Sequence, residues 1–226
     1  MNPQNRVSSR AVAARVRAAA LLAGVLAAAS PALAERIRNH FDSDGIMRPP
    51  AFFEFVVLGA PGPAKWLVLS DKNPPSAPSV AAQVEAGRPA DSIAAALRRS
   101  YAYRDGTTST YVKSGGSRIG LLVRYVDEKN FVSLLIDTGT GEAELTSVRD
   151  GKSERLAQGK ASFPEAWQKL TIVASGPSIK ASVGDAPLLE GTDPHPAAGR
   201  VGMAAAGPVE GRFDELILDS AELKGQ

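Results

Sequence analysis

The sequence predicts an all-β fold of two packed antiparallel sheets, on three observations. Runs rich in Val, Ile, Leu, Thr and aromatic residues recur at short intervals from Tyr101 to Asp219, as β-strands require. Turn signals separate them at Asp105-Gly106, Gly115-Gly116, Gly139-Thr140-Gly141, Asp150-Gly151, Gly176-Pro177, Gly184-Asp185 and Gly207-Pro208. The intervals are too short for the crossover helices that parallel strands need, so the sheets are antiparallel.

The chain opens with a different pattern. Residues 1–34 contain four arginines, no acid, an apolar run from Ala18 to Ala29, and the ending Ser30-Pro31-Ala32-Leu33-Ala34. A positive start, a short apolar stretch and an A-x-A-like end predict a signal peptide cleaved before Glu35. A spanning helix needs about 20 apolar residues, and Pro31 interrupts this run early. Removal of its arginines leaves 22 Lys and Arg against 24 Asp and Glu, a formal charge of −2. With the signs well mixed, the mature chain shows neither a nucleic-acid footprint nor a polybasic membrane patch. Residues 35–226 are expected to form one β-sandwich domain, with no membrane span after cleavage. Cysteine is absent, so no disulfide framework or lipidated thiol enters the reading.

After Phe41 and the Asp42-Ser43-Asp44-Gly45 turn signal, Phe52 to Leu58 reads as a strand. Gly59 to Pro63 is a loop, Trp66 to Leu69 a short strand, and Asn73 to Pro78 a loop too rich in proline for a regular element. Val80 to Val84 fits a strand. Ser92 to Arg99, SIAAALRR, has helical propensity in a β context and is ambiguous. The longest signal is Ser117 to Thr138. Ile119–Val126 and Phe131–Ile136 flank the Asp127-Glu128-Lys129-Asn130 turn cluster as a hairpin. Strict alternation places Arg124 on one face with Leu122 and Val126, and Leu121, Val123 and Tyr125 on the other. Further strands follow at Glu142–Val148, Ser153–Gln158, Gln168–Ser175, Ser178–Val183, Leu188–Thr192, Gly199–Ala206 and Gly211–Asp219.

Along the chain stand, in order, Gly120-Leu-Leu-Val-Arg124-Tyr125 with Asp127 and Asn130-Phe131, then Val148-Arg-Asp-Gly151-Lys152, Trp167-Gln-Lys-Leu170, Gly199-Arg-Val-Gly-Met203 and Phe213-Asp214-Glu215-Leu216. This series resembles the concanavalin A-like lectin/glucanase superfamily. Within it, the likeness is to laminin-G-like and 3-keto-disaccharide hydrolase type domains of exported bacterial proteins. The resemblance implies a jelly-roll β-sandwich and a carbohydrate-facing role. Val132 and Leu135 are aliphatic where such relatives carry an aromatic and an arginine.

The candidate ligand-binding residues are Arg124, Asp127, Asn130 and Trp66. An arginine among apolar side chains on a sheet needs an anionic or polar partner, either a carboxylate of the protein or the oxygens of a ligand. Asp127 and Asn130 can instead serve the turn by bonding backbone amides. Trp66, between proline-rich loops, could stack on a sugar ring, whereas Trp167 reads as a core anchor. Glu142 and Glu144 share a strand face but lack the three-acid pattern of retaining glucanases. His40 and His195 offer no zinc spacing. Ile46 stands where a calcium loop beginning at Asp42 needs a ligand, so calcium stays open without a motif to support it, and no other cofactor is expected. Gly151-Lys152-Ser153 lacks the first glycine of a phosphate loop. The expected function is an exported, periplasmic domain that binds carbohydrate or another cell-envelope ligand. A glycoside hydrolase acting on (3-keto-)disaccharides or glucans, and a non-enzymatic interaction module, are the alternatives.

Overall fold

The apolar runs pair as strands in the computed structural model, which describes residues 35–85, 89, 91–113, 116–164, 166–207 and 210–225. The expected signal segment, residues 1–34, lies outside the described residues. The described residues all belong to one compact unit. No helix occurs among the described residues. The strands are β1 (Glu35–Asn39), β2 (Phe53–Leu58), β3 (Trp66–Ser70), β4 (Ser79–Gln83), β5 (Ile93–Arg98), β6 (Tyr101–Ala102), β7 (Gly106–Lys113), β8 (Arg118–Asp127) and β9 (Asn130–Asp137), continuing with β10 (Glu142–Arg149), β11 (Lys152–Lys160), β12 (Gln168–Ser175), β13 (Ser178–Val183), β14 (Ala186–Thr192), β15 (Arg200–Ala206), β16 (Gly211–Ser220) and β17 (Lys224–Gly225).

Two antiparallel sheets carry the architecture. The first runs β14-β13-β12-β7-β16-β4-β3, with β1 also paired to β16, and the second runs β11-β10-β9-β8-β15-β5-β2. Their facing sides bury one core that includes Phe53, Trp66, Val112, Leu121, Val123, Leu134, Ile172, Met203 and Phe213. Trp66 and Phe213 meet at 5.3 Å between ring centroids. The opposite side of the second sheet holds a further apolar cluster, including Leu97, Leu122, Tyr125, Phe131 and Leu135. This is the jelly-roll sandwich expected from the sequence.

Two local readings change. Ser92–Arg99 resolves as β5, because Ala94, Ala95, Ala96 and Leu97 are all fully buried between β15 and β2. Helix propensity amounts to tenths of a kcal/mol per residue and yields to that burial on both faces. The alternation assigned to β8 fails at Arg124, which adopts φ 54° where the ladders to β9 and β15 both shift register. The bulge moves Tyr125 to the outer side with Leu122. Gly199 makes it fit, since a Cβ there would lie 2.4 Å from the carbonyl carbon of Arg124 and 2.6 Å from the nitrogen of Tyr125.

Candidate functional site

The bulge aims Arg124 into the protein. Its side chain is fully buried, with Nη1 donating to Asp193 Oδ2 at 2.9 Å, Nε to the carbonyl of Arg104 at 3.2 Å and Nη2 to the carbonyl of Gly176. Arg149 Nη2 donates to the same Asp193 oxygen, also at 2.9 Å, and the His195 N–H bonds the other. Of the two partners the sequence left open for Arg124, a carboxylate of the protein fills the place. The network joins β8 of one sheet to the turns that end β12 and β14 of the other.

Asp127 and Asn130 stand apart from this network, at the tip of the β8–β9 hairpin. Asp127 Oδ1 accepts from the Lys129 N–H and from Asn130 Nδ2. These bonds, that from Asn130 first, hold the Asp127 carboxyl below the usual carboxylate range. Asn130 Oδ1 accepts from the Asp150 N–H, tying this turn to the β10–β11 turn. Trp66 is a correction: it is 2% exposed in the core against Phe213 and presents no face to a ligand. Trp167 is half-buried, with the Lys113 ammonium 5.7 Å from its ring centre.

The Asp42 turn also has internal work. Asp42 accepts from the Ser76 hydroxyl at 2.6 Å and the Ser79 N–H at 3.0 Å, and Asp44 accepts from the Ala51 N–H. Among the described residues, no group of three or more His, Cys, Asp or Glu is placed to hold a metal ion.

A polar cleft lies elsewhere, on the outer face of the second sheet towards its β11 edge. It has a volume of about 630 Å³ and is lined by Arg118, Asp137, Glu142, Glu144, Arg155, Gln158 and Lys160, among others. Register assembles it: Arg118 stands opposite Asp137, Glu142 opposite Lys160, and Glu144 opposite Gln158. Glu144 is the hub. Arg155 Nε donates to Glu144 Oε1 at 3.1 Å, the Thr146 hydroxyl donates to the same oxygen, and Arg118 Nη2 lies 3.7 Å from Oε2. Arg155 Nη1 also donates to Gln158 Oε1 at 3.0 Å. Burial pushes the Glu144 carboxyl up, but the bonds from Arg155 and Thr146 and the two guanidinium charges outweigh it and hold it below the usual range. A carboxylate kept ionised in this way accepts hydrogen bonds and is unsuited to act as a general acid.

The sequence reading named Glu142 and Glu144 but could not assemble this cleft. Its basic members come from β8 and β11, and only the pairing brings them to β10.

No family model matches the chain, and no curated protein matches it. Solved structures share its fold. The carbohydrate-binding module CBM66 from Bacillus subtilis aligns with a TM-score of 0.52 at 15% identity, covering 67% of this chain and 92% of the module. Domain 4 of AbnA, a GH43 extracellular arabinanase from Geobacillus stearothermophilus, solved in complex with arabinotriose, gives 0.51 at 16% identity, covering 83% and 92%. A protein of unknown function from Shewanella oneidensis MR-1 gives 0.51 at 14% identity, covering 83% and 86%. At these identities the likeness is one of fold, a jelly-roll β-sandwich.

Proposed function

We propose that this is an exported carbohydrate-binding domain whose ligand occupies the cleft around Glu144. The observation that carries the reading is the fixed Arg118–Glu144–Arg155–Gln158 network inside an open cleft. A sugar hydroxyl both donates and accepts, so vicinal hydroxyls suit a surface that alternates guanidinium N–H groups with carboxylate oxygens. Mutual pairing holds these side chains in place before the ligand arrives, which lowers the ordering cost of binding. Two neighbours in fold are described as a carbohydrate-binding module and an arabinotriose complex, which adds support. Hydrolysis would also need a carboxyl that keeps its proton to act as general acid, and Glu144, held below the usual range by Arg155 and Thr146, does not supply it.

A glycan array followed by calorimetry on the hits tests this reading. Arg155→Ala and Glu144→Gln are expected to weaken binding by on the order of tenfold to a hundredfold, the worth of a lost charged hydrogen bond. Undiminished affinity in both folded variants would move the site elsewhere, and an array without hits would remove the carbohydrate reading. Export rests on the pattern of residues 1–34. Amino-terminal sequencing of protein recovered from the periplasm should begin at Glu35, and a retained Met1 would overturn that half of the proposal.

A further inference from the structure

Large apolar side chains are exposed at five described positions, Ile46, Met47, Phe52, Val126 and Val173, and three of these lie in the loop between β1 and β2. Single exposed apolar residues are ordinary, but three within seven residues of one loop are a concentration that calls for a partner. The exposure is built in. Met47 and Phe52 adopt φ 60° and 64°, a left-handed conformation that non-glycine residues hold only where their surroundings impose it. Here the Met47 N–H donates to the Val68 carbonyl and the Val68 N–H to the Arg48 carbonyl, both at 2.8 Å. The Arg99 N–H donates to the Phe52 carbonyl at 2.9 Å, and the Arg98 guanidinium lies 5.1 Å from the Phe52 ring centre. Phe52 is nevertheless 66% exposed and Met47 63%.

Each spike has an exposed arginine beside it: Arg48 follows Met47 in the chain, and Arg99 is hydrogen-bonded to the Phe52 backbone. The loop's carboxylates, Asp42 and Asp44, are occupied by Ser76, Ser79 and Ala51. Arg48 and Arg99 are far apart in sequence, so no basic run announces them. We propose that this loop docks the protein on an anionic phospholipid bilayer. Ile46, Met47 and Phe52 enter the headgroup layer, and Arg48 and Arg99 bond lipid phosphates. Three side chains supply on the order of a few hundred Å², far short of the roughly 1,000 Å² a stable protein interface buries, but such a wedge can seat among headgroups. The loop adjoins β2, at the opposite edge of the second sheet from β10 and β11. Docking there leaves the polar cleft clear.

The test uses the full chain and vesicles of phosphatidylcholine with and without phosphatidylglycerol. Flotation should depend on phosphatidylglycerol and fall with added salt. Met47→Asn with Phe52→Asn, chosen because asparagine tolerates the left-handed backbone, should weaken binding by on the order of tenfold or more. Arg48→Glu with Arg99→Glu should weaken it by a similar factor. A Phe52→Trp variant gives a local readout that the apolar run at Ala18–Ala29 does not supply. Its emission should shift to the blue on vesicles and be quenched by brominated acyl chains. An unshifted, unquenched emission, or equal vesicle binding by all variants, would overturn the proposal and leave the patch to a protein partner.

Discussion

Asp193→Ala is expected to lower folding stability by about 3–5 kcal/mol, the cost of leaving a buried charge without its partner. Asp193 is fully buried and holds two guanidinium groups through one oxygen, that of Arg124 with no exposed surface and that of Arg149 partly covered. Loss of the carboxylate leaves Arg124 with neutral carbonyls and a more distant Asp105, 3.5 Å from its Nη2. A denaturant melt checks the size. The double change Arg124→Leu with Asp193→Leu should cost less than the sum of its single changes, because it removes both buried charges together. A loss under about 1 kcal/mol for Asp193→Ala would contradict the structural role. Glycan binding by the folded fraction should be preserved, since the cleft draws on neither residue. A ligand-binding Arg124 would instead show the reverse, with affinity lost and stability kept.

How much of this was legible depends on whether a feature is local. Gln168–Ser175 and Ser178–Val183 read directly as strands, because alternation and the intervening Gly176-Pro177 turn are written in neighbouring residues. β1, with the sequence ERIRN, was missed. Only Ile37 is apolar there, and the strand exists by pairing with β16. The bulge at Arg124 was invisible because alternation carries no mark of one extra residue, so its partner Asp193, 69 positions away, could not be named. Trp66 reads as a strand residue within reach of a ligand because the loops on either side are rich in proline, whereas its register against Gln83 turns the ring inward to Phe213. The Glu144 cleft had half a signal, two glutamates two apart. Arg118 and Arg155 join it only through the strand register.

Asp214 sets a dependence on pH in the opposite sense to ordinary acid denaturation. Its carboxylate is fully buried at the irregularity in β16, where the ladder to β7 shifts and Glu215 adopts φ 52°. Burial, aided by the charges of Glu215 and Asp42, pushes its carboxyl from the ordinary 3.8 up to about 7, against the N–H bonds from Ser76 and Glu215 that favour the charged form. Arg38 also feels its charge, but its guanidinium is paired to Glu215. A carboxyl whose folded pKa is raised adds stability that is fully present below about pH 4 and is lost as pH rises through about 7. Asp42 works in the other window: despite burial, bonds from Ser76 and Ser79 lower its pKa, so its contribution is lost as pH falls below the usual carboxylate range. Between about pH 5 and 8 the wild-type protein should therefore lose on the order of 2–4 kcal/mol relative to an Asp214→Asn variant, whose amide does not titrate. The amide can accept from only one of the two N–H donors, so the variant starts less stable and the profiles converge as pH rises. Parallel stability profiles from chemical denaturation across that range would show that Asp214 stays ionised throughout.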